Sequence, residues 1–245
     1  MPFTSVSSQQ QSTTAPHVIP WIVPALPESL RELIFSLGKR VQYQKNQIVL
    51  HEHEKMDRFL YIEDGLFAQA IINYRMNKQL AMNLYTPGRL MGFLTFFTGR
   101  HTPRRIFTLE NSAAICASHR SVMDALNQDF SLYKEMVRYC ELADRSELNG
   151  MMGLFMLSAD DRLRQLFVAI LCAYGYIFER DKDEWVELPF MLKRADILKV
   201  IYTSQITLDR LLAEWVKKEY LRKENKKVYA RTGNLYPIYQ WISEQ

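Results

Sequence analysis

KRADILKVIYTSQITLDRLLAEWVKK, running from Lys193 to Lys218, carries two apolar stripes of helical period on either side of a short break. Ile197, Val200 and Ile201 share one face of a helix predicted over Lys193–Tyr202. Leu208, Leu211, Leu212 and Trp215 share one face of a second, predicted over Ser204–Lys218. The break at Tyr202-Thr203 leaves room only for a tight turn, and Thr203 stands where its side chain can cap the second helix. Gln205, Ile206, Asp209 and Arg210 point away from the buried stripe.

The residues that follow, Tyr220–Tyr229 (YLRKENKKVY), read as two short β runs around a Glu-Asn turn, a hairpin with Lys226 and Lys227 at its tip. From Lys193 to Arg231 there are eleven Lys and Arg against five Asp and Glu, a balance of +6, whereas the whole chain carries +4. Positive charge is therefore concentrated here, as phosphate binding requires. Two helices around a tight turn with a basic hairpin beside them form a winged helix-turn-helix, which sets the start of its second helix in the major groove of double-stranded DNA. Gln205, Ile206 and Arg210 then meet base edges or phosphates, Gln being suited to adenine and Arg to guanine. Lys193, Arg194, Thr203, Ser204, Thr207 and Asp209 line the same approach, and Lys226 and Lys227 reach phosphates.

Upstream the patterning changes. Residues 1–20 contain no Lys, Arg, Asp or Glu and read as a flexible tail. Residues 21–37 read as a short helix, opened by Pro27-Glu28, with Leu30, Leu33, Ile34 and Leu37 on one face and Gly38 at its end. In the stretch 21–120, short β runs at 41–43, 47–50, 59–62, 66–74, 79–85, 105–109 and 113–117 alternate with turns such as Glu63-Asp64-Gly65 and Pro87-Gly88. That is the pattern of a small β-roll. Residues 121–157 read as one long helix. Along it Leu132, Met136, Tyr139, Ala143, Ser146, Gly150, Gly153 and Leu157 recur at steps of four and three, a heptad seam. The seam argues for a homodimer interface in which the small residues let two backbones approach, so that glutamate at Met136 and Tyr139 gives monomers. The alternative is an amphipathic helix packed on its own β domain. Residues 158–245, opening with a helix over 160–175 and a charged turn at Glu179–Glu184, make up the winged helix-turn-helix domain.

Composition and motifs narrow the function classes. No stretch approaches the ~20 apolar residues of a membrane span, and the first twenty residues lack the basic start and apolar middle of a signal peptide, so a cytoplasmic location is expected. Cys116, Cys140 and Cys172 are widely spaced and form no CxxC pair, which argues against a disulfide framework or thiolate cluster and leaves buried apolar residues as the simplest reading. No GxSxG, Walker or Rossmann pattern occurs, and no catalytic residue is assigned. A metal-dependent enzyme on a cupin-type barrel is the alternative, since His51-Glu52-His53 with Glu54 and Asp57 could supply ligands. His101 and His119 lie outside the turn where a further ligand is needed, so no metal or cofactor is expected. A β-roll used only for protein interaction is a third reading, against which the basic C-terminus speaks.

Several short stretches carry a family resemblance. Lys45-Asn46-Gln47-Ile48-Val49, Leu60-Tyr61-Ile62-Glu63-Asp64-Gly65 and Tyr85-Thr86-Pro87-Gly88-Arg89-Leu90-Met91-Gly92 look like successive β-roll strands and turns. Leu157-Ser158-Ala159-Asp160-Asp161-Arg162-Leu163 looks like the joint before a DNA-binding domain, and Arg194-Ala195-Asp196-Ile197 with Thr207-Leu208-Asp209-Arg210-Leu211-Leu212 matches a helix-turn-helix without a gap. In this order the chain resembles the Crp/Fnr superfamily of bacterial transcription regulators. The resemblance implies an α+β fold, with a cyclic-nucleotide-binding-like β-roll, a long dimerisation helix and a C-terminal winged helix-turn-helix. It also implies operator or promoter DNA, a second copy of the chain and RNA polymerase as partners. The departures are informative. Tyr202 stands where the family's turn usually has Gly, and Gln205-Ile206 where the recognition helix usually has Arg-Glu, while Arg210 matches the third contact position. Gly92 is followed by Phe93 rather than a ribose-binding Glu, and Pro103-Arg104-Arg105 keeps positive charge at the phosphate position without the Ser. With Phe93-Leu94-Thr95-Phe96-Phe97 filling the pocket, no cyclic AMP site is expected. With no Cys before Cys116, no N-terminal iron–sulfur cluster is expected either, and the effector is unassigned.

Overall fold

A computed structural model describes residues 18–73, 75 and 78–244. The tail expected at 1–20 lies outside these residues as far as position 17, and its last residues are not tail. Ile19, Trp21, Ile22 and Val23 are buried. The helix expected over 21–37 forms only as α1 (Glu28–Leu37). Pro20, Pro24 and Pro27 remove the amide donors that an earlier start needs, and the segment before α1 turns at Pro20-Trp21 and then runs on without helix. It is held on both sides, for Leu84 N donates to Trp21 O (2.8 Å) and Trp21 N to Ser146 O (3.3 Å).

Eight strands follow: β1 (Lys39–Tyr43), β2 (Ile48–Leu50), β3 (Arg58–Asp64), β4 (Phe67–Asn73), β5 (Lys78–Tyr85), β6 (Leu90–Met91), β7 (Arg104–Thr108) and β8 (Ser112–Ser118). They make two four-stranded antiparallel sheets, ordered β1-β8-β3-β6 and β2-β7-β4-β5, the expected roll. The β3–β4 turn depends on Gly65. Its φ is +82°, and a Cβ there would lie 2.3 Å from Ser112 Oγ, so only glycine fits.

The long helix expected over 121–157 is two helices, α2 (His119–Leu126) and α3 (Phe130–Met156). Asp129 separates them by capping α3, its Oδ1 accepting from Ser131 N (2.8 Å) and Leu132 N (3.2 Å). The C-terminal part comprises α4 (Ala159–Ala173), β9 (Trp185–Glu187), α5 (Arg194–Ile201), α6 (Gln205–Lys217), β10 (Leu221–Glu224), β11 (Lys227–Arg231) and α7 (Thr232–Ser243). The hairpin β10–β11 gains β9 as a third strand, in the order β10-β11-β9.

Apolar burial forms two clusters. One fills the roll and joins it to α1, α2 and the first half of α3, through Leu30, Ile34, Phe59, Phe67, Met136 and Tyr139. The other runs from Ala68, Ala70, Met82 and Leu84 through α4 to Ile197, Val200, Leu208 and Trp215. Alternation along β4 and β5 sends one set of side chains into the roll and the next into the winged domain, so the winged domain is seated on the roll. Arg89 pins that seat, donating to Pro87 O (2.6 Å), Ala173 O (2.6 Å) and Val23 O (3.4 Å). The Ala173 carbonyl is at the end of α4, where the helix dipole favours a cation.

The heptad seam of α3 is covered by its own chain. Met136, Tyr139, Ala143, Ser146, Gly150 and Gly153 are buried, and Leu132 and Leu157 are half-buried. Tyr139 Oη accepts from Leu90 N (3.0 Å) and donates to Leu90 O (3.2 Å). A Cβ at Gly150 would meet Trp21 at 2.4 Å, and one at Gly153 would meet Gln165 at 2.3 Å. The small residues therefore make room for Trp21 and Gln165. The interface expected along this seam is corrected: the side facing the roll cannot also face a second copy. The opposite face is open, with Phe130, Val137, Leu148, Met151 and Phe155 exposed at steps of seven, eleven, three and four.

Candidate nucleic-acid interface

The turn between α5 and α6 is built around Tyr202 in the left-handed conformation, φ +46° and ψ +70°. A residue with a Cβ pays about 1–2 kcal/mol there, and the Tyr202 N–H, bonded to Leu198 O, closes α5 in that shape. Ser204, not Thr203, caps α6: its Oγ accepts from Thr207 N (3.1 Å) and lies 2.8 Å from Thr207 Oγ1. Thr203 is half-buried in the turn, its N–H directed to Leu198 O. Beneath the cap, Leu208, Leu211, Leu212 and Trp215 anchor α6, and Trp215 Nε1 donates to Asp160 of α4 (2.6 Å). The first turn of α6 is thus rigidly mounted.

Gln205, Ile206 and Arg210 project from that mount, all exposed. Lys193 and Arg194 are exposed at the start of α5. Asp209 is half-buried and lies 2.9 Å from Arg194, so it joins the two helices and offsets one cation of the face. On the hairpin, Asn225 and Lys226 have φ of +48° and +68°, the two left-handed residues of a two-residue hairpin turn. Lys226 is therefore at the tip. Lys227 opens β11 and its Nζ donates to Glu187 of β9 (2.9 Å), which tempers its charge. Arg222 is stacked between Trp185 (4.4 Å) and Tyr229 (5.2 Å), a brace for the hairpin. β9 and this brace escaped the sequence reading, since three residues are too few to show a period.

Where the resemblance puts a nucleotide's ribose and phosphate, the roll presents aromatic rings and paired cations. Phe93 and Phe96 are buried, Phe93 against Tyr139 (6.1 Å between ring centres) and Phe96 against Phe59 (4.7 Å), where a ribose would need polar partners. Arg104 is paired with Glu147 of α3, with side chains only 17% and 6% exposed, and Arg105 holds Glu52 through two bonds of 2.7 and 2.8 Å. Both cations already have carboxylates. Glu147 also accepts from Tyr85 Oη (3.4 Å), which donates to Gln69 as well (2.8 Å). Burial pushes the Glu147 carboxyl up while Arg104 pulls it back. Cyclic AMP is accordingly expected to give no saturable heat on titration into the protein, and micromolar binding by calorimetry would overturn this.

The metal alternative finds no support in geometry. Glu52 is engaged with Arg105 and Glu54 accepts from His51 N (2.9 Å). Among the described residues no three ligating side chains converge. His119 packs against Phe59 and Phe96, and burial lowers it to about 4. Burial raises all three thiols, Cys140 and Cys172 to about 12, which opposes thiolate redox chemistry. No helix among the described residues is long and apolar enough to cross a membrane.

Comparison with known proteins agrees with this geometry. The family model for the cyclic nucleotide-binding domain matches residues 40–129. No curated protein matches the chain by sequence. Among solved structures, FixK2 from Bradyrhizobium japonicum superposes with a TM-score of 0.70 at 13% identity, covering 82% of this chain and 96% of its own. A variant of CooA from Carboxydothermus hydrogenoformans gives 0.65 at 16% identity, with 89% and 96% covered. A CRP/FNR-family transcriptional regulator from Thermus thermophilus gives 0.60 at 13% identity, with 84% and 99% covered. Residues 40–129 thus match a cyclic nucleotide-binding domain, and the chain as a whole shares the fold of these solved structures.

Proposed function

We propose that the protein is a transcription regulator that binds operator or promoter DNA as a homodimer, with the first turn of α6 in the major groove and the β10–β11 hairpin against the backbone. The observation that carries this reading is the juxtaposition of exposed Gln205, Ile206 and Arg210 on a rigidly capped helix with Lys226 at the hairpin tip. A second copy docks on the open face of α3, and RNA polymerase is the partner through which a bound regulator acts. The roll serves as a scaffold free of cyclic nucleotide.

The test separates base from phosphate contacts. Preferred duplexes are selected from a random pool, and each variant is titrated against a preferred and a scrambled duplex at several salt concentrations. Gln205→Ala and Arg210→Ala are expected to weaken specific binding by about 1–3 kcal/mol and relax preference at one position each. Lys226→Ala is expected to weaken both duplexes alike and lower the salt slope by about one per subunit. Lys227→Ala is expected to do less, because Glu187 already holds that ammonium. If the Lys226 variant lost sequence preference while the Gln205 variant kept it, the docking geometry is wrong.

A further inference from the structure

We infer that Ile206 reads the C5-methyl group of a thymine in each half-site, which makes this regulator selective for an A·T pair at that position. The inference rests on the DNA-binding reading above and names the base it selects. Its starting point is exposure. Ile206 is 83% exposed, matched among the large apolar side chains of the described residues only by Phe155 at 85%. It sits one residue into α6, between the Ser204 cap and the buried Leu208, so its backbone is fixed. A β-branched side chain on a helix has one strongly preferred rotamer. The result is a stiff apolar knob on an otherwise polar edge formed by Gln205, Asp209 and Arg210.

In the major groove every base presents hydrogen-bonding groups, but only thymine adds an apolar one, its methyl. An isoleucine satisfies no donor or acceptor, so against any other base it leaves polar groups without water. The neighbours point the same way. Gln205, adjacent in sequence, has the amide that pairs with adenine. Asp209, the carboxylate on this edge that could accept from a cytosine amine, is engaged by Arg194 at 2.9 Å.

The test uses the full-length protein and the duplexes it enriches from a random pool. Each thymine is replaced in turn by deoxyuridine, which removes the methyl and leaves the base pair intact. One thymine per half-site is expected to be sensitive, its replacement weakening binding about fourfold, and about fifteenfold when both half-sites are changed, as expected for one buried methyl each. Ile206→Ala, at an exposed position that leaves folding intact, is expected to bind thymine and deoxyuridine duplexes equally. Enrichment with no deoxyuridine-sensitive thymine overturns the thymine assignment alone, and so does sensitivity that survives in Ile206→Ala. Failure of the wild type to enrich any sequence overturns the DNA-binding reading and the assignment with it.

Discussion

Replacing Leu148 and Phe155 by glutamate is expected to yield folded monomers that bind operator DNA at least about 100-fold more weakly. Both side chains are on the open face of α3, where Phe155 is 85% exposed. A substitution there removes nothing from the core, so helicity and melting temperature should stay near the wild-type values. Once a second copy covers that face, each new carboxylate has to be buried without a partner, which costs several kcal/mol. A regulator reduced to one subunit loses the second half-site, whose binding is intramolecular in a dimer and contributes two or more orders of magnitude. Sedimentation velocity with circular dichroism checks the first part, and a DNA titration the second. Met136→Glu is the contrasting variant. Met136 is fully buried against the roll, so the charge enters the core and the expected result is loss of the fold, not dissociation. A folded dimer from the Leu148/Phe155 variant would show that the second copy docks elsewhere.

Glu147→Ala is expected to destabilise the protein by about 3–5 kcal/mol, read from chemical denaturation. The change strands the Arg104 guanidinium, 17% exposed, near Tyr85, with the exposed Asp144 as the carboxylate left to interact with it. Removing both charges should do far less harm. In Arg104→Met with Glu147→Met, two apolar side chains of similar length replace a pair whose desolvation offsets most of its attraction, and most of the lost stability should return. Equal losses in the single and double variants would mean that packing volume, not charge pairing, is what this site supplies.

The sequence made the roll and the helix-turn-helix legible for different reasons. Short β runs bounded by turns mark strands, and β3 through β5 and β8 stand close to the runs at 59–62, 66–74, 79–85 and 113–117. Two amphipathic stripes around a two-residue break permit little but the α5–α6 pair. A period, however, names a stripe and not its partner. The seam from Leu132 to Leu157 is a real apolar line, but it faces the roll, with Gly150 and Gly153 hollowed for Trp21 and Gln165. The open stripe was masked by Lys134, Glu141 and Asp144 between its apolar members. α7 was hidden by Gly233 at its start and Pro237 within it. At the recognition edge, residue types pointed to Gln205, Ile206 and Arg210, but the engagement of Asp209 by Arg194 and of Lys227 by Glu187 depends on distances no pattern encodes.

The clasp around Trp21 also bears on how the chain comes into being. Trp21 is synthesised well before its partners on α3, for the Ser146 carbonyl and the hollow at Gly150 come about 125 residues later. At 5–20 residues per second, that delay is roughly 6–25 s. Throughout it the apolar run Ile19–Val23 has only the roll to rest on, and the half-made roll lacks the helix that closes it. Arg89 waits longer still, for the Ala173 carbonyl. Synthesis therefore passes through an interval in which a tryptophan and a strand edge are open to water or to a neighbouring nascent chain. Slowing elongation between residues 90 and 150 would prolong it.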